Sequence, residues 1–441
     1  MEAVMEEIRI EKYPAYKESG VEWLWDIPAH WDVSRLGKIL TPTSVKNQPQ
    51  LPLLSITREK GVIMRNDDEE ENHNFIPDDL SNYKVLKNGE FGMNKMKAWQ
   101  GSYGISAFTG IVSPAYYIFI TDPNIVPEFF HFAIRSKLYV SFFGSASDGV
   151  RVGQWDLSKE RMKNIPFVIP SLEEQKSIAA FLKRKMIQIE EAIVQKQKLI
   201  ELLKERRQIL IHNAVTRGLD PNVPMTDSGV EWIGEIPAHW EVKKLKYILK
   251  SQGRIGFKGY TTSDLVDADE GALTLGASHL DWEGNIKLAD PVFISWKKYY
   301  ESPEIMVYKN DIIIVQRGST CGKVALIKDD LGPTTINPSL VLLKQIIGNP
   351  EYVFLAIKVV LNGILNLVSN TAIPMLTQFQ INNIEIPMPK VEEQETIVAL
   401  VHEGTMKIDA VISVKYEEIE KLKEYKSTLI NAAVTGKIKV G

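Results

Sequence analysis

Residues 317–324 read RGSTCGKV, two glycines and a lysine in a short hydroxyl-bearing loop, which are the parts of a phosphate cradle. The spacing refuses that chemistry. Gly318 and the Gly322-Lys323 pair stand one residue too close, and Val324 occupies the place of the magnesium-binding hydroxyl. Two readings remain: a tight turn between strands, or a loop aiming Arg317 and Lys323 at DNA phosphates or base edges. Basic and aromatic residues also interleave at KMKAWQGSYG (95–104), RVGQW (151–155) and GRIGFKGY (253–260). Cations hold a protein on phosphates, while amide and guanidinium groups read base edges. Lys95, Lys97, Arg151, Gln154, Arg254 and Lys258 therefore join Arg317 and Lys323 as candidate DNA contacts. Trp99 and Trp155 within these stretches suit a hydrophobic core equally well.

Nothing comparable points to catalysis or to a resident metal. His30 and His239 recur in two copies of IPAHW, where a histidine among proline and tryptophan is expected to pack or cap. No HExxH, CxxC pair or GxSxG occurs, and neither NPSL (337–340) nor SPAY (113–116) makes the loop an amino-methyltransferase needs for its target amine. The acidic DDEEEN (67–72) reads as a solvated loop. Cys321 is the only cysteine, which excludes a disulfide framework and a cysteine-ligated zinc and fits a reducing cytosol. No charged-then-apolar leader and no apolar run of about 18 residues appears, so a cytoplasmic chain is expected rather than a secreted or membrane-spanning one. The net charge of −4 does not announce a nucleic-acid binder, but residues 171–217 carry 10 basic against 6 acidic residues, so any polyanion must be met by local patches or with a partner's help.

The elements that must carry these loops repeat. SGVEWLWDIPAHWDVSRLGKIL (19–40) and SGVEWIGEIPAHWEVKKLKYIL (228–249) agree at 14 of 22 positions, too many for chance. PSLEEQKSIAAFL (170–182) answers PKVEEQETIVALV (389–401), and NAVT (213–216) answers AAVT (432–435). The chain is thus a unit of about 210–220 residues duplicated in tandem, and a duplicated unit presents two similar surfaces. Each half opens on a Pro/Trp-rich string, passes through a mixed region, and ends in a long charged helix. AYYIFI (115–120), DIIIVQR (311–317) and SLVLLKQII (339–347) read as strands, and 126–143 and 350–368 as helices. The first long helix has Ser171 as N-cap with Glu174 three residues on, and stops before Gly218; the second runs from about Val391 to Val434 and stops at Gly436. Apolar residues recur at three- and four-residue spacing, and a shift of 219 lays Ile189, Ile193, Ile200 and Leu203 on Ile408, Ile412, Ile419 and Leu422. That is the seam of a coiled coil, so the two helices are expected to pair through these eight residues; the alternative is two amphipathic helices packed separately.

These strings together, from YPAYKESGVEWLWDIPAHW (13–31) through IPFVIPSLEEQ (165–175) and IEIPMPKVEEQ (384–394), resemble the DNA specificity subunit of type I restriction–modification systems, over essentially the whole chain from about residue 13. The resemblance implies a mixed α/β fold with two tandem target-recognition domains separated by two long helices packed as an antiparallel coiled coil, with pseudo-two-fold symmetry. The divisions would be an N-terminal segment (1–18), recognition domains at 19–168 and 228–388, a central helix at 171–217 and a C-terminal helix at 391–435. It implies a non-catalytic chain that reads a bipartite double-stranded DNA target, one part per recognition domain. Its helices would set the spacing and dock two methyltransferase (modification) subunits, and a restriction motor-nuclease subunit would join them. S-adenosylmethionine, ATP and magnesium would belong to those partners. The outer helix faces, including Lys183, Arg184, Arg206 and Arg207, are the expected docking surface. Trp25 stands where the second copy has Gly234 and where the family usually has glycine, so that turn is expected to differ locally. Between the frames only VLKNGE (85–90) against VYKND (307–311) is similar, as two domains reading different half-sites require. The competing readings are a structural adaptor for two protein partners without DNA reading, and a stand-alone DNA-modifying enzyme.

Overall fold

The computed structural model describes residues 11–65, 76–151, 154–231, 233–254, 259–368 and 375–440. It forms two compact units, residues 1–198 with 415–441 (unit 1) and residues 199–414 (unit 2). The division cuts through both long helices, Leu172–Arg217 and Val391–Val434, so each unit holds one recognition region and a piece of each helix.

The first helix starts at the expected capping box: the Glu174 amide donates to Ser171 Oγ (3.3 Å), and the Ser171 amide donates back to Glu174 Oε2 (3.3 Å). The second helix ends where Gly436 adopts a left-handed conformation (φ +71), and the Lys437 amide donates to the Ala432 carbonyl, closing the last turn. The helix pieces in each unit run antiparallel. In unit 1 Glu190 pairs with Lys426, and Lys196 with Glu418 (2.5 Å). In unit 2 Arg207 pairs with Asp409 (2.8 Å), and Gly404 leaves room for Leu210. Ile189, Ile193, Ile200, Ile408, Ile412 and Ile419 are buried, and Leu203 and Leu422 half-buried. Burying such a side chain contributes ~1.5–3 kcal/mol, which far exceeds the ion pairs at the rim.

The repeated strings form the joints of each unit. In unit 1 the strand Asp32–Arg35 pairs antiparallel with Pro166–Ile169, and in unit 2 Glu241–Lys244 pairs with Glu385–Met388. The His-Trp pair clasps the start of a long helix: His30 Nε2 and Trp31 Nε1 donate to Glu174 Oε1 (2.9 and 3.1 Å), while His239 Nε2 and Trp240 Nε1 donate to the two oxygens of Glu393 (both 3.0 Å). Burial pushes the Glu174 carboxyl up, but hydrogen bonds from His30, Trp31 and Ser171 outweigh it and hold the group below its usual value. The same clasp receives the end of a long helix. Gly436 lies against Pro28 and Trp31, and Gly218 against Pro237 and Trp240. The neighbouring glutamine faces the other way: buried Gln175 accepts from the Val126 amide (2.8 Å) and donates to the carbonyls of Asn124 and Pro170, and Gln394 likewise joins the Asn349 amide to the Pro389 carbonyl. One Glu-Gln dipeptide thus fixes helix, opening string and recognition region together.

Trp25 and Gly234 make the same turn, contrary to the local difference expected there. Both have positive φ (+54 and +70), and the amides of Ser19 and Ser228 donate to their carbonyls (3.2 and 3.0 Å). The tryptophan accepts a conformation that favours glycine.

The divergent inserts also share one fold. Unit 1 has an antiparallel sheet in the order Leu40–Thr43, Tyr117–Thr121, Phe91–Met93, Tyr103–Ile105. Unit 2 repeats it with Lys250–Gly253, Leu340–Lys344, Ile312–Val315, Val324–Leu326. The turns at Gly89 (φ +83) and Asn310 (φ +71) correspond, which corrects the VLKNGE and VYKND alignment by one residue. The helix expected over 126–143 is two, Pro127–Ile134 and Lys137–Ser145, whereas Pro350–Val368 is continuous.

Candidate nucleic-acid interface

In each sheet the third and fourth strands are joined by a loop, and both loops are among those singled out for their basic residues. In unit 1 the loop spans 94–102 and in unit 2 it spans 316–323. Each is tied at the same place to the segment entering the joint: the Leu157 amide donates to the Lys95 carbonyl (3.3 Å), and the Leu376 amide to the Gln316 carbonyl (2.7 Å).

The unit 1 loop is held from below. Half-buried Arg135 donates to the carbonyls of Gly101 and Tyr103 (3.3 and 2.6 Å) and, through its other terminal nitrogen, to those of Arg58 and Glu59 (3.0 and 2.7 Å). Above it, Lys97 is exposed and Lys95 pairs with Asp156 (3.0 Å), which raises the ammonium pKa through that hydrogen bond. Trp99 and Trp155 pack on each other, ring centres 5.0 Å apart and half-buried, so they brace the loop. The side chains of Arg151 and Gln154 lie outside the described residues, as do Lys258 and the acidic 67–72 segment.

The unit 2 loop is a tight turn with Gly318 and Gly322 at positive φ (+100 and +92), conformations glycine adopts without strain. Cys321 is buried beneath it with Sγ against the Gln316 carbonyl, and burial pushes its thiol pKa up, which leaves it unreactive. Arg317 is exposed. Lys323 is not available in the same way: Nζ donates to the Leu280 carbonyl (2.8 Å) and sits over the Trp282 ring. Arg254 is buried at 7% exposure, with Nε donating to the Ile336 carbonyl (3.0 Å) and Nη2 to Thr335 Oγ1 (3.1 Å). Its expected place at DNA gives way to a structural one, because a guanidinium taken out of water must be satisfied inside.

On the long helices Lys183, Arg184 and Arg206 are exposed, whereas Arg207 is turned into its pair with Asp409. Exposed apolar side chains accompany them, Ile187 and Val194 in unit 1 and Leu202 and Ile209 in unit 2. Among the described residues no group of three or more His, Cys, Asp or Glu could hold a metal ion, and no helix is long and apolar enough to cross a membrane.

The sequence profile of the type I restriction modification DNA specificity domain matches residues 98–202 and 237–421, more than half of the chain. The chain belongs to this family. It is 24% identical over 436 residues to the type I restriction enzyme MjaVIII specificity subunit of Methanocaldococcus jannaschii, covering 94% of each. It is 27% identical over 302 residues to the putative MjaX specificity subunit of the same organism, covering 66% of this chain and 63% of that one. Among solved structures it resembles a chain from a study of complex assembly and conformational transition of the type I R-M system (TM-score 0.69, 16% identity, covering 92% of this chain and 98% of that one). It also resembles the HsdS subunit from Thermoanaerobacter tengcongensis (TM-score 0.54, 16% identity, 93% and 98% covered). As a type I specificity chain it recognises DNA sequence and is itself non-catalytic, and the fold is the family's.

Sequence reasoning missed one cationic group of this specificity chain. Lys46, Lys84 and Lys159 lie far apart along the chain, yet the fold gathers them beside the unit 1 loop. No spacing signal announces them, because each comes from a different element.

Proposed function

We propose that each unit of this specificity chain reads one half of a bipartite double-stranded DNA target, through the loop between its third and fourth sheet strands. Lys95 and Lys97 serve unit 1 and Arg317 serves unit 2. The observation that carries this reading is one sheet and one loop position repeated in both units with unlike side chains: a shared fold with different contacts is what two different half-sites require. The long helices, 46 and 44 residues, act as the spacer, about 65–70 Å each at ~1.5 Å per residue. Two modification subunits dock on their outer faces around Lys183, Arg184, Arg206 and the exposed Ile187, Val194, Leu202 and Ile209. A restriction motor-nuclease joins the assembly in the cytoplasm, and S-adenosylmethionine, ATP and magnesium are held by these partners. Protection of the DNA by the chain with and without the modification subunit tests the reading. Lys97→Ala should weaken protection of one half-site and Arg317→Ala that of the other; equal loss over both halves contradicts the assignment.

A further inference from the structure

We propose that unit 1, and among the described residues not unit 2, carries a phosphate-binding cleft that takes a backbone phosphate of bound duplex DNA, lined by Lys84, Lys159 and Lys163 with the hydroxyl groups of Thr43 and Ser44. The cleft measures about 590 Å³ and lies beside the edge strand Leu40–Thr43. Its lining includes three lysines and no carboxylate. Lys163 is answered by Glu160 (3.0 Å), but Lys84 donates only to the Tyr116 carbonyl (2.6 Å) and Lys159 lies over the Tyr117 ring (4.4 Å), so among the described residues neither has an acidic partner. Burial, then the charges of Lys46, Lys159 and Lys95, pull the Lys84 ammonium below the ordinary lysine value, as expected of cations gathered without an anion. The cleft is continuous with the candidate interface through Tyr116. Its carbonyl receives Lys84, while its hydroxyl receives Nδ2 of Asn94 (3.3 Å), the first residue of the loop that carries Lys95 and Lys97.

Unit 2 fills the corresponding place with its own side chains. By strand register Gly253 stands where unit 1 has Ser44, so that hydroxyl is absent, and the next residue, Arg254, is buried against Ile336 and Thr335. Gln378 opens the helix Gln378–Asn382 as Lys159 opens Lys159–Asn164, and it donates to the Ser251 carbonyl (2.8 Å) and hydroxyl (3.0 Å). The two units therefore hold the DNA backbone unequally.

This inference rests on the DNA-reading function above, and its test separates the two. Binding of the full-length chain to duplexes with and without its target is measured over a range of salt. Each phosphate contact contributes about −0.9 to the slope of log K against log salt. Because the cleft takes one phosphate, the K84Q/K159Q pair should flatten the slope by about 1 and Lys159→Gln by up to that amount, on target and unrelated duplex alike. Lys17→Gln, outside the cleft, should leave it unchanged. Lys159→Gln alters only an exposed side chain, so it reports even if the pair fails to fold. Unchanged slopes in both variants overturn the cleft. Failure of the unsubstituted chain to prefer its target sinks the reading function, while the slope on unrelated duplex still decides the cleft. Stabilisation by inorganic phosphate that K84Q/K159Q abolishes, with unchanged DNA slopes, would make the cleft a free-phosphate site and refute the DNA assignment.

Discussion

Gly436→Ala probes the joint on which the whole frame depends. The residue has φ +71, and a methyl group there would stand 2.4 and 2.5 Å from two ring carbons of Pro28 and 3.1 Å from Trp31. The left-handed conformation costs alanine ~1–2 kcal/mol, partly offset by the ~0.4–1 kcal/mol that alanine takes from the unfolded chain. Pro28 is a rigid ring and Trp31 is fully buried, so neither can step aside, and overpacking adds ~1–3 kcal/mol. The expected loss is about 2–4 kcal/mol, a fall of roughly 5–15 °C in the melting of a unit of this size. Gly20 supplies the control in the same unit, with φ +70 and open space around it; Gly20→Ala should cost about 1 kcal/mol or less. Gly218→Ala, 3.1 Å from Trp240 and 3.5 Å from Pro237, should fall between the two. Scanning calorimetry of the three variants gives the ranking. If Gly436→Ala melts with Gly20→Ala, the contact of helix end with opening string does not hold unit 1 together.

Burial, then the nearby charge of Arg207, pulls the Lys358 ammonium down to about 8, while its nitrogen donates to the Glu283 carbonyl (2.6 Å). Between pH 8 and 10 the unfolded chain keeps that proton and the folded chain has released it, so this group makes unit 2 more stable as pH rises through that window, and Lys358→Gln should flatten the melting-temperature profile there. Arg254→Ala should destabilise unit 2 by roughly 3 kcal/mol on thermal unfolding and leave the salt dependence of DNA binding unchanged, because it loses charged internal hydrogen bonds and no phosphate contact. Inserting four residues into each long helix lengthens it by ~6 Å. At ~3.4 Å per base pair, methylation mapping should then find the gap between half-sites longer by one or two base pairs, and an unchanged gap refutes the spacer role.

The frame was legible because its chemistry is local and repeated. Ser171 with Glu174, the glycines at 218 and 436, and the isoleucines 219 residues apart each announce a cap, a stop or a buried seam by type and spacing. The second role of Glu174, holding Trp31, and the role of Gln175 were not legible, since the partners Trp31 and Val126 are brought to them only by the fold. The common sheet of the two inserts was hidden for a related reason: strands tolerate wide exchange of apolar residues when only burial is required. Two basic candidates changed meaning on folding. Arg254 and Lys323 look like Lys97 and Arg317 in sequence, but their charges are spent on internal carbonyls. Lys84 and Lys159 went unnoticed because each is an unremarkable lysine until the other is beside it.

The most direct test of the central claim, that this chain selects the DNA sequence for a type I system, is genome-wide mapping of methylated adenine in cells with the gene, without it, and with residues 41–168 exchanged for the recognition region of another specificity subunit. Methylation at a bipartite motif should vanish with the gene. Under the exchange it should return with one half of the motif replaced and the other retained. A motif that survives deletion, or that is indifferent to the exchange, would contradict the account.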